Sequence, residues 1–157
     1  MDSVSEIRIR IALPSDRDEL ARLRHVLLPN VSIEEHGREL TAILNGTAAL
    51  TMPLITWVAE GANGALVGFL EADLRSHADG CDPARPVGYI EGWYVAQPYR
   101  RRGIGRKLLA AAEGWARGKG CVEMASDALI ANEVSQHAHE ALGYEVVDRC
   151  VHYRRML

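Results

Sequence analysis

Val95-Ala96-Gln97-Pro98-Tyr99-Arg100-Arg101-Arg102-Gly103-Ile104-Gly105-Arg106-Lys107 leads from an apolar, β-rich stretch through a basic glycine-bearing turn into an amphipathic segment. Glycine lets a backbone approach a ligand closely and leaves its amides unshielded. The first N–H groups of a helix lack intrahelical partners, and the helix dipole favours negative charge there. Such a turn suits a phosphate or pyrophosphate. Arg100, Arg101, Arg102, Arg106 and Lys107 add cationic charge around it. The phosphate-loop pattern Gly-x4-Gly-Lys-Ser/Thr is missing, and Leu108 stands where a dinucleotide fingerprint needs a third glycine. ATP and NAD therefore fit poorly. The competing reading is a solvated basic helix start with no ligand.

Working outward, the spacing predicts a helix over 103–119 after the turn, with Ile104, Leu108, Leu109, Ala112, Trp115 and Ala116 on its apolar face. Before the turn, Val87–Val95 reads as a strand. Ile7, Ile9, Ile11 and Leu13 alternate with Arg8, Arg10 and Ala12, the period of a strand. Pro14-Ser15-Asp16 opens a helix that Pro29 stops, and Ser32 with Glu35 forms a capping pattern for a second one towards Leu44. Leu54–Glu60 and 65–74 flank Gly61-Ala62-Asn63-Gly64 and read as an antiparallel hairpin. After the long helix come a short strand over 122–126, a helix over 133–142 ended by Gly143, and two closing strands over 144–147 and 150–154. This irregular order predicts an α+β fold with a mixed sheet rather than a doubly wound one.

The 157 residues predict one domain spanning 1–157. The hydrophobic fraction of 48% and charged fraction of 25% are those of a globular protein and exclude collagen-like or largely disordered chains. No apolar run reaches the roughly 20 residues of a membrane helix. The start, Met1-Asp2-Ser3-Val4-Ser5-Glu6, lacks the apolar core of a signal peptide, so a cytoplasmic location is expected. A net charge of −3 argues against nucleic-acid or anionic-membrane partners and permits a cationic one. Cys81, Cys121 and Cys150 form no Cys-x-x-Cys pair, which speaks against a disulfide framework or zinc site. No His-Glu-x-x-His or Gly-x-Ser-x-Gly motif occurs, so neither metal nor serine-nucleophile chemistry is expected.

Arg100-x-x-Gly103-x-Gly105 after a strand and Pro98 resembles the acyl-CoA pyrophosphate loop of the GNAT N-acetyltransferases. The resemblance covers most of the chain. Gly80-Cys81-Asp82, Glu91-Gly92, Met124-Ala125-Ser126-Asp127, Asn132, Ser135-Gln136 and Ala141-Leu142-Gly143-Tyr144 are similar to the aminoglycoside 6'-N-acetyltransferase subgroup. The resemblance implies a GNAT-like mixed, mainly antiparallel sheet flanked by helices, acetyl-CoA as donor, no metal, and an amino-sugar acceptor. It implies antibiotic resistance as the outcome and a homodimer, in some members with exchanged C-terminal strands. By the same resemblance, amides of residues 101–106, including Ile104, hold the pyrophosphate. Trp93, Tyr94 and Val95 lie along the pantetheine arm, with the Val95 N–H near the thioester carbonyl, and Asn132 bonds that arm.

Acetyl transfer needs a neutral amine, whereas alkyl amines titrate near ~10.4. Glu91, inside an apolar strand, is costly unless paired or functional. It is the expected ammonium ligand and proton acceptor, with an exposed edge glutamate as the alternative. Asp127 ends a strand at a loop and is expected to bind sugar ammonium groups or aid proton removal; a turn or cap aspartate is the alternative. Asp148 matches an acidic substrate-contacting position of the subgroup, or sits in a hairpin turn. His139 stands where many members have a tyrosine acid, and a packing histidine is the alternative. Leu28 and His77 replace aromatic substrate contacts of the subgroup, which leaves a polyamine, another small amine or a protein amine as the alternative acceptor. A non-catalytic acyl-CoA-binding module is a third reading.

Overall fold

The structure, a computed structural model, describes residues 6–50 and 52–157. The reading of residues 1–6 therefore falls, Glu6 apart, outside the described residues. The chain runs β1 (Arg8–Ile11), α1 (Arg17–Leu27), α2 (Ile33–Leu44), β2 (Leu54–Glu60), β3 (Leu66–Arg75), β4 (Val87–Val95), α3 (Ile104–Gly118), β5 (Met124–Ser126) and α4 (Glu133–Ala141). The five strands lie in sequence order in one sheet. Pairs β1–β2, β2–β3 and β3–β4 are antiparallel, and β4–β5 is parallel.

Local chemistry sets these limits. Pro14 begins a 3₁₀ turn that leads into α1, where a missing N–H costs nothing. Ser32 caps α2 by accepting from the Glu35 N–H at 3.1 Å, as its spacing predicts. Along β3, Val67, Leu70 and Ala72 meet Ile104, Leu108, Leu109 and Ala112 of α3 on one face of the sheet. Leu66 and Phe69 meet Leu20, Ala21 and Leu40 of α1 and α2 on the other. The sheet is thus filled from both sides, which leaves its charged groups to be paired or collected at an edge.

One buried pair ties α1 to the sheet. Glu71 of β3 is 4% exposed, and the Arg24 guanidinium of α1 lies 3.0 Å from its carboxylate. Arg24 also reaches Glu39 of α2 at 3.2 Å. Burial outweighs the arginine and raises the Glu71 carboxyl above the ordinary range.

The tail departs from its prediction. Residues 144–147 and 150–154 form no strand, and Val146, Val147, Val151 and Tyr153 are exposed. Strand propensity needs an edge to pair with, and among the described residues of the chain this segment pairs with none. The tail still borders the loop between β3 and β4: a Cβ on Gly80 would lie 2.7 Å from Val147.

Candidate active site

The site is created where β4 and β5 part. Glu71 faces Gly92 but Ala72 faces Ile90, so Glu91 is the extra residue of a β-bulge. β5 pairs only with Gly88, Tyr89 and Ile90. From Glu91 to Val95, β4 keeps β3 on one side and, among the described residues, has no sheet partner on the other. An extended ligand with amide groups can pair along such an open edge. The bulge also puts Glu91 on the α1 side of the sheet, beside Gly92, whose Cβ would stand 3.6 Å from a Glu71 carboxylate oxygen.

The basic turn caps the far end of that edge. Arg101 takes φ 62° and Gly103 φ 76°, two left-handed residues separated by one. Alternation of this kind turns successive N–H groups inward as an anion nest. The non-glycine left-handed residue costs about 1 kcal/mol or more, strain that concentrates at ligand sites. Lys107 makes the first helical bond, to Gly103 at 3.0 Å, so no helical carbonyl takes the amides of Ile104, Gly105 and Arg106. Arg100 is spent on geometry: its Nε donates to the Val95 carbonyl at 2.8 Å, and its guanidinium lies 5.7 Å from the Tyr94 ring. Arg102 sits 5.7 Å from the Tyr99 ring. Gly105 packs tightly, since a Cβ there would be 3.1 Å from the Trp93 ring. Amides and guanidinium groups, with no carboxylate over residues 95–108, suit a diphosphate with a pantetheine arm along β4.

Next to the open edge lies a cleft of about 1560 Å³, lined among others by Asp73, Arg75, His77, Tyr89, Asp127 and Asp148. This exceeds the ~300–1000 Å³ of a pocket for one small ligand. Arg75 organises its floor. Its guanidinium stacks on the Tyr89 ring at 3.4 Å, binds Glu91 at 2.5 Å, and stops 3.8 Å from Asp73. Asp73 Oδ1 is buried and has no hydrogen-bond partner among the described residues. Burial, and then the Glu91 carboxyl, push Asp73 up to about 7. Burial also raises the Tyr89 phenol, with the Asp127 carboxylate adding to the effect.

His139 is anchored on every side. Nδ1 lies 2.7 Å from the Ser135 carbonyl and Nε2 lies 2.8 Å from the Ser126 hydroxyl. Its ring meets Trp93 and Tyr144 edge to face, at 5.3 and 5.7 Å between centroids. Tyr144 in turn donates to Glu113 of α3 at 3.0 Å.

The structure brings His77, Asp127, His139 and Asp148 to one cleft, with Glu91 reaching it through Arg75. Trp93 turns its ring towards α3 and α4, while Tyr94 points to the Phe69 side. Asn132 caps α4 by accepting from the Ser135 N–H at 3.1 Å, which leaves its amide NH₂ as a donor. Leu28 is at the exposed C-terminal end of α1 and does not line the cleft. Sequence reasoning missed Asp73, Arg75 and Tyr89. Their signal was period two: Glu71, Asp73 and Arg75 fall on one face of β3. Among the described residues no group of three or more His, Cys, Asp or Glu is placed to hold a metal ion.

Comparison with known proteins matches residues 20–144 to the acetyltransferase (GNAT) family. Aminoglycoside N(6')-acetyltransferase type 1 of Klebsiella aerogenes is 36% identical over 149 residues, covering 95% of this chain and 96% of that protein. The protein of the same name from Serratia marcescens is 39% identical over 141 residues, covering 89% and 92%. Among solved structures, AAC(6')-Iy in complex with the bisubstrate analog CoA-S-monomethyl-acetylneamine superposes with a TM-score of 0.81 at 33% identity, over 96% of this chain and 99% of that one. AAC(6')-Ih from Acinetobacter baumannii gives a TM-score of 0.84 at 28% identity, over the same shares.

Proposed function

The chain belongs to the acetyltransferase (GNAT) family, and on that footing we propose that it acetylates the 6'-amine of aminoglycoside antibiotics with acetyl-CoA. One observation carries the acceptor: likeness over 95% of the chain to a protein named for this reaction. Acetyl-CoA is the co-substrate, and a structural neighbour holds a CoA-linked acetylneamine analog.

The residues of this chain divide the work. The amides of residues 101–106 and the flanking arginines bind the diphosphate, and the β4 edge from Trp93 to Val95 aligns the arm. The Asn132 amide donates to that arm. Glu91, Asp127 and Asp148 draw ammonium groups into a partly dry cleft, where Coulomb attraction exceeds its value in open water. Glu91 and Asp127 take the proton that frees the nitrogen lone pair. The amine then attacks the thioester directly. Acetylation removes a positive charge and hydrogen-bond donors from the drug, and resistance follows.

Residues 1–157 act as one cytoplasmic domain, and two copies form a homodimer. The exposed Val146, Val147, Val151 and Tyr153 support pairing with a second copy. Among the described residues no helix is long and apolar enough to cross a membrane. His77 in the cleft and the exposed Leu28 favour a second reading, in which the acceptor is a polyamine or another small amine. Thiol release from acetyl-CoA with kanamycin, tobramycin and spermidine separates the two. Release with the drugs alone supports the first reading, and none above the no-acceptor control across a broad drug panel rejects it.

A further inference from the structure

We propose that Ser126 and His139 form a relay that moves the proton lost by the acceptor nitrogen to the departing sulfur. The proposal rests on the acetyl-transfer reading and adds the hydroxyl of Ser126 to it.

The hydrogen bonds fix the direction of the relay. A carbonyl can only accept, so His139 Nδ1, 2.7 Å from the Ser135 carbonyl, carries the ring proton. In the neutral ring Nε2 is then bare. Its partner at 2.8 Å is the Ser126 hydroxyl, which donates to it. A hydroxyl, an imidazole nitrogen and a third group that orients the ring make the arrangement by which proteins activate a hydroxyl. Trp93 and Tyr144 clamp the ring edge to face, so the alignment is held before any substrate binds.

Ser126 is also in the right place. It is the last residue of β5 to pair with β4, opposite Ile90, where the open edge begins. Ser126, Asp127 and His139 line the same cleft. A simple packing histidine has no need of a hydroxyl at the mouth of the coenzyme edge.

The proton count closes. As the C–N bond forms, nitrogen carries one proton too many. That proton passes to Ser126 Oγ while the Ser126 hydroxyl proton passes to His139 Nε2. As the C–S bond breaks, sulfur leaves with the electron pair. The ring returns its proton to Ser126 Oγ, and Ser126 hands one to sulfur. Amine and thioester become amide and thiol, and His139 ends neutral. Ser126 is the catalytic residue, and His139 acts through it as a positioning and proton-storing residue.

Two readouts test the relay. Nitrogen-15 NMR of the free protein reports the His139 tautomer: a protonated Nδ1 and a bare Nε2 whose shift moves in Ser126→Ala is expected. A protonated Nε2 overturns the proposal. In the transfer assay, Ser126→Ala and the ring-sized His139→Phe each lower kcat by about 10²-fold, the scale of acid–base catalysis, with acetyl-CoA affinity unchanged by calorimetry. Ser126→Thr, which keeps the hydroxyl, restores most of the rate lost in Ser126→Ala. Equal kcat in Ser126→Ala, a loss confined to KM, or an acetyl adduct on Ser126 in mass spectra each overturn the relay. An unmodified chain inactive on every drug counts instead against the aminoglycoside reading, and the relay is then read from the NMR tautomer and any amine that accepts acetyl.

Discussion

Replacing Asp73 with asparagine removes a titrating partner from Glu91 without changing its size. Asp73 and Glu91 flank Arg75, with side chains 23% and 30% exposed. Burial and the neighbouring carboxyl push Asp73 from 3.8 to about 7. Because the folded-state value lies above the ordinary one, the protonated form favours the fold. That contribution is complete below about pH 4 and is lost as pH rises through about 7. The full displacement corresponds to about 4 kcal/mol. Solvent reaches both groups, so screening leaves roughly 1–2 kcal/mol. Asparagine resembles the protonated acid at every pH. Urea unfolding should find the two proteins alike near about pH 3.5, and Asp73→Asn more stable by that margin near about pH 8.5. Parallel stability curves across this window would refute the raised Asp73 carboxyl.

The remaining predictions concern the coenzyme turn, the carboxylate and the buried ion pair. Gly105→Ala drives a Cβ to 3.1 Å from Trp93; overpacking of about 1–3 kcal/mol should weaken acetyl-CoA binding by about tenfold in calorimetry. Glu91→Gln should leave coenzyme affinity intact and cut turnover with an aminoglycoside by about 10²-fold, and unchanged turnover removes Glu91 from the mechanism. Arg24→Ala strands Glu71 in the core and should cost about 3–5 kcal/mol in urea unfolding. The double variant Arg24→Met with Glu71→Leu should regain most of that loss.

Much of the fold was legible because periodicity and caps are local. Ser32 with Glu35 located α2, and Gly61–Gly64 with the flanking apolar runs located the β2–β3 hairpin. The coenzyme turn was legible for the same reason: its glycines, basic residues and following helix are contiguous. The acceptor side was only half legible, since it is assembled by register. A bulge decides that Glu91 joins Asp73 and Arg75, and its one sequence trace is Gly92, a glycine inside a strand. Arg75 lay just past the predicted strand over 65–74, though it closes β3 and stacks on Tyr89. The closing strands failed for a different reason. Val146, Val147, Val151 and Tyr153 carry real strand propensity, but propensity counts only against a partner edge.

An NMR spectrum of the drug recovered after incubating the protein with acetyl-CoA and kanamycin identifies the acetylated nitrogen. One new acetamide is expected, on the nitrogen at the 6' carbon. An acetyl group on any other amine, or drug recovered unchanged while the protein still binds the coenzyme, would contradict it.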